Sequence, residues 1–366
     1  MNSSPGVLEL PRRMTLATQA AESLRRAIAG HLWRDFLPSE RRLCDLLQVS
    51  RPTVRAALRQ LASEGRIAIT QGRRIRLVTH PAPARLPRSR VVALVSHQPL
   101  SQLAHTSFQG ISEMRTQLAR QGFRIDEFVC SGRTAATQIR RLETYLRQNR
   151  VLGCVLSSVS REVQQWLAAQ KVPVLVLGSC HASVELPSLD VDYRAVCRHA
   201  AGIFRRHGHR QLAFLVPDLG IAGDLVSEAG FQEGASAPPG GGEVRATLVR
   251  HNGTPADLLA RLGALFRSPS PPTALLVARP VHTIGVLAHL LRQGFRVPEN
   301  LSLIARDHDP LYQDYVAHYA FADGTLSHRL SRLVLQMAHR GHLSNAPELI
   351  FPRYVARDTV RAPVVR

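Results

Sequence analysis

The chain has 366 residues, 45% of them apolar, enough for more than one packed core and too many for a wholly disordered polymer. Forty-seven basic residues against 27 acidic ones give a formal charge of +20, and Lys171 is the single lysine among them. No apolar run approaches the roughly 18 residues needed to cross a bilayer, and "MNSSPGVLELPRR" lacks the pattern of a signal peptide, so a cytoplasmic protein with no membrane partner is expected.

The charge is unevenly spread. Residues 1–90 hold 17 arginines against six acids, a net +11, while the remaining 276 residues carry +9. A surplus confined to one small segment points to a polyanionic partner. The five cysteines, Cys44, Cys130, Cys154, Cys180 and Cys197, form no CxxC pair and read as buried thiols of a reducing compartment.

In chain order, Leu16, Ala20, Leu24, Ala27 and Ile28 predict a helix closing near Gly30. Ser39 is placed to cap a second helix over about 40–47, with Leu43, Leu46 and Leu47 inward. "QVS" turns the chain into a third helix over about 51–63, which ends before Gly65. In "RIAITQGRRIRLV" two short β-prone pieces flank Gln71-Gly72 and predict a hairpin. Three helices and a hairpin in one small segment predict a winged helix-turn-helix.

The third helix, within "SRPTVRAALRQL", carries the chemistry. Ser50 can cap it, and Pro52 sits in the first turn, where a missing amide costs nothing. Val54, Leu58 and Leu61 share one face. Arg51, Arg55 and Arg59 form a separate stripe with no acid following in it. A stripe of this kind on its own is most simply a solvated basic face. The helix and turn before it, and the hairpin after it with Gly72, Arg73, Arg74 and Arg76, favour a helix that enters a DNA groove. There arginine bridges two acceptors on guanine, and Thr53 meets a phosphate or a methyl. Arg41 and Arg42, at the start of the second helix, are candidates for phosphate contacts.

"LPSERRLCDLLQVSRPTVRAALRQLASEGRI" resembles the DNA-binding domain of GntR-type regulators, over about residues 15–78. The matching motifs are Leu37 to Arg41, Val49 to Arg55 and Ala57 to Gly65. The resemblance implies that Arg41, Arg51, Thr53 and Arg55 touch DNA. The wing departs from the family pattern: its second glycine is Arg74, which makes a bulkier and more basic tip.

Residues 80–89, "HPAPARLPRS", read as a proline-rich linker between a DNA-binding domain over 1–79 and the rest. From 90 onward strands and helices alternate. Strands are predicted at 91–96, 123–130, 151–158, 172–178, 211–216, 244–249, 273–278, 301–305 and 351–355. Helices are predicted at 108–120, 134–148, around Trp166, and at 193–206, 255–267, 281–292 and 327–340; "EGASAPPGGG" (233–242) reads as a loop. Near-continuous apolar strands between helices predict parallel sheets covered on both faces. Two lobes follow, about 90–190 plus C-terminal segments and about 191–320, within a domain spanning 90–360.

This region resembles the effector-binding domain of LacI/GalR repressors, which implies a periplasmic-binding-protein-like fold. The matches are Asp192, Gly208, His209 and Arg210; then Gly294, Val297, Pro298, Glu299 and Asp307; then the closing "FPRYVARDT". The departures fall where the resemblance implies ligand contacts. Ser227 stands in place of an arginine that holds ligand hydroxyls, Arg279-Pro280 in place of Asn-Asp, and Ala305-Arg306 in place of a glycine and an aromatic. Ser227, Arg279, Arg306 and Asp307 are therefore the candidate effector contacts. The resemblance does not carry a simple sugar over to them. A different effector, anionic in view of Arg279 and Arg306, and a degenerate pocket both stay open.

No GxSxG, P-loop, GxGxxG or HExxH motif is present, so no catalytic residue, cofactor or metal is expected. "RDHDP" (306–310) reads as a strand-end loop and "HGH" (207–209) as a turn closing a helix. The combination resembles arabinose-type repressors, with a GntR head and a LacI-like body. It predicts a homodimeric, effector-responsive regulator, a repressor on a palindromic operator. The alternative is a small-molecule binding protein without a DNA role.

Overall fold

The computed structural model describes residues 15–29, 32–33, 36–63, 67–68, 75–77, 89–236 and 243–364. The chain divides into two compact units, Met1–Ala84 and Arg85–Arg366.

In the first unit α1 spans Leu16–Ala29, α2 Glu40–Leu47 and α3 Arg51–Ser63, followed by β1, Ile67–Ala68, and β2, Arg76–Leu77. Ser39 Oγ accepts from the Arg42 amide at 3.3 Å and caps α2. Gln48, with φ of 52°, ends α2 in the left-handed conformation and lets the chain enter α3 three residues later. The two strands pair antiparallel, with Ile67 opposite Leu77. Ala20, Ala21 and Leu24 of α1 meet Leu43, Val54, Leu58, Leu61, Ile67 and Leu77 in one core. Leu46 does not join them and is 52% exposed. An eight-residue helix offers one inward stripe, and Leu43 and Leu47, four apart, occupy it. Leu16 is exposed as well. The hairpin tip, with Gly72, Arg73 and Arg74, and the linker at 80–88 lie outside the described residues.

The second unit begins with β3, Val91–Ser96; α4, His105–Ala119; β4, Arg124–Val129; and α5, Ala135–Gln148. Next come β5, Gly153–Ser157; α6, Arg161–Ala168; β6, Val174–Leu177; and β7, Ser188–Val191. Then follow α7, Tyr193–Arg206; β8, Gln211–Pro217; α8, Ala222–Ser236; β9, Arg245–His251; α9, Pro255–Phe266; and β10, Ala274–Val277. The chain closes with α10, Pro280–Arg292; β11, Ser302–Ala305; β12, Ala317–Ala320; α11, Thr325–Arg340; β13, Glu348–Ile350; and β14, Arg353–Val355.

These strands make two six-stranded sheets, ordered β13-β7-β6-β5-β3-β4 and β14-β12-β11-β10-β8-β9. Every pairing is parallel except β14, which runs antiparallel along β12. Alternation along each strand feeds two cores per lobe. In β3, Val92 and Leu94 pack with α4 and α11, while Ala93 and Val95 pack with α5 and α6. In β8, Leu212 and Phe214 pack with α7 and α8, while Ala213 and Leu215 pack with α9 and α10.

Four elements go beyond the periodicity. Both β7 and β12 are short, four-residue strands that the sequence leaves without a clear run. The single closing strand is two: β13 completes the first sheet and β14 the second. Helix α8 is the largest omission, and it takes Glu233–Ser236 out of the expected loop. Its polar residues Asp224, Ser227 and Glu228 are buried while Leu225 is exposed, so the helix shows no polar stripe toward solvent, and it packs face to face on α7. A Cβ on Gly230 would lie 2.2 Å from the Arg194 carbonyl oxygen, and one on Gly234 2.3 Å from that of Arg198. Only glycine permits that approach.

The chain passes between lobes three times, from β7 to α7, from β12 to α11 and from β13 to β14. His209 anchors the second lobe at the end opposite the cleft. Its imidazole lies 2.8 Å from Thr273 Oγ1 and 2.8 Å from the Arg361 carbonyl oxygen. "HGH" thus closes α7 as expected, with His209 as a buried tie rather than a solvated turn residue. Cys130, Cys154 and Cys197 are buried thiols, whereas Cys44 and Cys180 are half-buried. Burial pushes the Cys154 thiol up to about 12.

Candidate functional site

Two sites are built on these units. In the first unit Arg41 and Arg42 of α2 and Arg51, Arg55 and Arg59 of α3 are all exposed, while Val54, Leu58 and Leu61 of α3 are buried. The apolar face thus fixes the helix and leaves the arginine stripe in solvent. Arg55 has a partner that its own helix does not supply: its Nε donates to Glu40 Oε2 at 3.0 Å. With 62% of the Arg55 side chain exposed, this pair contributes little to stability and orients the guanidinium. Ser50 Oγ lies 2.8 Å from Thr53 Oγ1, so the two hydroxyls at the start of α3 engage each other.

The second site is a cavity of about 400 Å³ between the lobes of the second unit. The loops after β3, β5, β6 and β7 line it on one side, and those after β8, β10, β11 and β12 on the other. Ligand sites of open parallel sheets form at such carboxyl ends. Three of the four expected effector residues, Arg279, Arg306 and Asp307, line it.

They belong to a charged network with one member that the sequence did not single out, Asp224 of α8. Asp224 Oδ1 accepts from Arg306 Nη1 at 3.2 Å, and its Oδ2 from Arg279 Nη2 at 2.6 Å. Arg306 Nη2 donates to Asp307 Oδ2 at 3.1 Å, and the guanidinium carbon lies 4.1 Å from the centre of the Tyr193 ring. The Arg306 side chain is 1% exposed. Burial opposes its charge, but Asp307 and Asp224 outweigh burial and hold the group well above its ordinary value. Ser227 is fully buried and does not line the cavity. Its Oγ accepts from Arg306 Nη1 at 2.9 Å and donates to the Gly223 carbonyl at 2.7 Å. It therefore supports Arg306 from below.

Asp224 was missed because α8 was missed; only its position three residues before Ser227 pointed to it. Asp190, near the end of β7, lines the cavity outside this network and was likewise not singled out by the sequence. Burial raises its carboxyl to about 6, against hydrogen bonds from Ser179 Oγ at 2.5 Å and the Val191 amide at 2.8 Å. Across the cleft, Thr106 Oγ1 donates to the His308 carbonyl at 3.4 Å, linking α4 of the first lobe to the β11–β12 loop of the second. Among the described residues no group of three or more His, Cys, Asp or Glu side chains is placed to hold a metal ion. No described helix is long and apolar enough to cross a membrane.

Comparison with known families finds a match within each unit. Residues 16–77 match the model of bacterial regulatory proteins of the gntR family, and residues 201–360 match that of a periplasmic binding protein-like domain. No curated protein sequence matches the chain. Among solved structures, the transcriptional regulator CelR in complex with cellobiose has 20% identity and a TM-score of 0.64, over 95% of this chain and 100% of its own. A LacI transcriptional regulator from a Rhodococcus species has 20% identity and a TM-score of 0.58, over 74% of this chain and 98% of its own. A dimeric Lac repressor with a C-terminal deletion and one substitution has 17% identity and a TM-score of 0.63, over 74% and 100%. At these identities the likeness establishes the fold.

Proposed function

We propose that this chain, a ligand-responsive transcriptional regulator that joins a gntR-family DNA-binding domain to a periplasmic binding protein-like domain, is a homodimeric, non-enzymatic repressor acting in the cytoplasm on a palindromic operator. The observation that carries it is α3: one face is locked into the core while Arg51, Arg55 and Arg59 stay exposed along the other. In this reading residues 1–79 bind DNA, 80–89 connect, and 90–360 sense the effector and dimerise. Arg51, Thr53 and Arg55 read bases, Arg59 extends the stripe, Arg41, Arg42 and Ser50 hold phosphates, and Gly72, Arg73 and Arg74 contact the DNA backbone. Arg279, Arg306 and Asp307 contact the effector, with Ser227 behind them. Effector in the cavity closes the lobes and, through the dimer, changes the spacing of the two DNA-binding heads.

The test is fluorescence anisotropy of the full chain on duplex DNA from upstream of its own gene, across a salt series. Specific binding with a steep salt dependence is expected. Affinity equal to that for scrambled duplex would refute the regulator reading and leave the binding-protein alternative.

A further inference from the structure

The cavity has a charge opposite to that of the chain. Among the described residues that line it are six carboxylates, Glu113, Asp190, Asp224, Asp307, Asp309 and Asp323. Against these stand two arginines, Arg279 and Arg306, for a net formal charge of −4 in a chain whose total is +20. The arginines do not offer a free anion site. Asp224 bridges both of them, and Asp307 takes a second bond from Arg306, so two guanidiniums and two carboxylates neutralise one another. An incoming anion would have to displace Asp224 from Arg279 while facing the four other carboxylates. Glu113 is ionised, since hydrogen bonds from Ser327 and Gln109 hold it below the usual carboxylate range.

A further feature marks this as a binding site rather than a solvated acidic surface. The second lobe contributes an apolar rim, Leu219, Val281, Ile284 and Leu311, of which Val281 is 71% and Leu311 66% exposed. Large apolar side chains so exposed at the mouth of a charged cavity lack the cover that their burial would favour.

We infer that the effector is an organic cation, an ammonium or amidinium group carried on a partly apolar body. The cationic head sits among Asp309, Asp323 and Glu113, and the body lies on the rim formed by Leu219, Val281, Ile284 and Leu311. This assignment rests on the effector-site reading of the cavity and replaces the anionic effector suggested by Arg279 and Arg306 alone. Carboxylates around a partly closed cavity concentrate cations, and the apolar rim selects amines with a hydrocarbon part over inorganic ions.

The experiment uses the full chain and three shape-matched pairs of probes in isothermal titration calorimetry and thermal denaturation. Hexylamine and phenethylamine are the cations, 1-hexanol and 2-phenylethanol the neutral forms, and hexanoate and 3-phenylpropanoate the anions. The amines should bind at least tenfold more tightly than either counterpart, more weakly as salt rises, and up to about fourfold more tightly per added methylene from butylamine to hexylamine. Asp309→Asn and Asp323→Asn, both outside the buried network, should each weaken the amines severalfold and leave the alcohols unchanged. Equal or tighter binding of the acids or alcohols, a flat alkyl series, or no binding by any probe would overturn the proposal. Duplex binding without probe separates the two readings. A chain that binds duplex but prefers the acids loses only the cation assignment, and one that binds amines but no specific duplex loses only the regulator.

Discussion

Arg306 Nη1 donates to Ser227 Oγ at 2.9 Å, so a guanidinium lies beside the position at which the resemblance to LacI/GalR repressors implies an arginine. It arrives from β11 rather than from α8. Its charge is compensated by Asp224, one helical turn before Ser227, and by Asp307.

Placing an arginine at Ser227 should therefore fail. Ser227→Arg would place a second guanidinium in a fully packed position next to Arg306, costing roughly 1–3 kcal/mol from overpacking and more from like charge. Removing the first guanidinium in Ser227→Arg with Arg306→Ala should recover part of that loss. Urea denaturation of the single and double variants measures it; additive losses would mean that the two positions do not compete.

Asp224 is the hub of the network. Asp224→Ala leaves Arg306 buried and short of a counter-charge, a change that typically costs about 3–5 kcal/mol. Arg306→Met, which removes the charge as well, should cost less than Asp224→Ala. The order of the two midpoints in denaturant is the readout, and the reverse order would contradict the network.

Asp190 gives a pH signature. Its folded carboxyl is raised from 3.8 to about 6 by burial, against bonds from Ser179 and Val191 and the field of Arg306, with Asp192 adding to the rise. Between about pH 4 and 6 the folded state binds the extra proton, so this group lowers stability as pH rises through that window. Asp190→Asn should raise stability at pH 7 by on the order of 1–3 kcal/mol and flatten the slope. Thermal melts of both proteins from pH 4 to 7 test it, and parallel curves would exclude Asp190 as the source.

On DNA, Arg51→Ala and Arg55→Ala should each cost about 1–3 kcal/mol per lost base contact and relax sequence preference. Arg42→Ala should instead weaken binding evenly across sequences and reduce the salt slope by about 1. Competition assays with altered duplexes distinguish the two classes. An unchanged preference in both α3 variants would remove that helix as the reader.

The DNA-binding unit was legible because its signals are local. Ser39 and its cap, the Leu43 and Leu47 stripe, and the separation of Val54, Leu58 and Leu61 from Arg51, Arg55 and Arg59 all lie within one or two helical turns. The strand–helix alternation of the second unit was legible for the same reason, since buried parallel strands are continuous apolar runs. Helix α8 was not, because a helix covered by a close neighbour shows no amphipathic period, and Gly234 near its end reads as part of a glycine- and proline-rich loop. Nor was the split of the closing strand, because which sheet accepts β13 or β14 depends on partners more than 30 residues away in sequence.

By itself, then, the sequence determined the helices of the DNA-binding unit, the strand–helix alternation of the second unit, the arginine stripe of α3 and the departures from the pattern that the resemblance implies. Only the tertiary structure decided what those departures mean. A charge has no fixed sense until its neighbours are known: Arg279 and Arg306 read as an anion site in one dimension. Asp224 and Asp307, brought beside them by folding, neutralise them and leave the cavity negative.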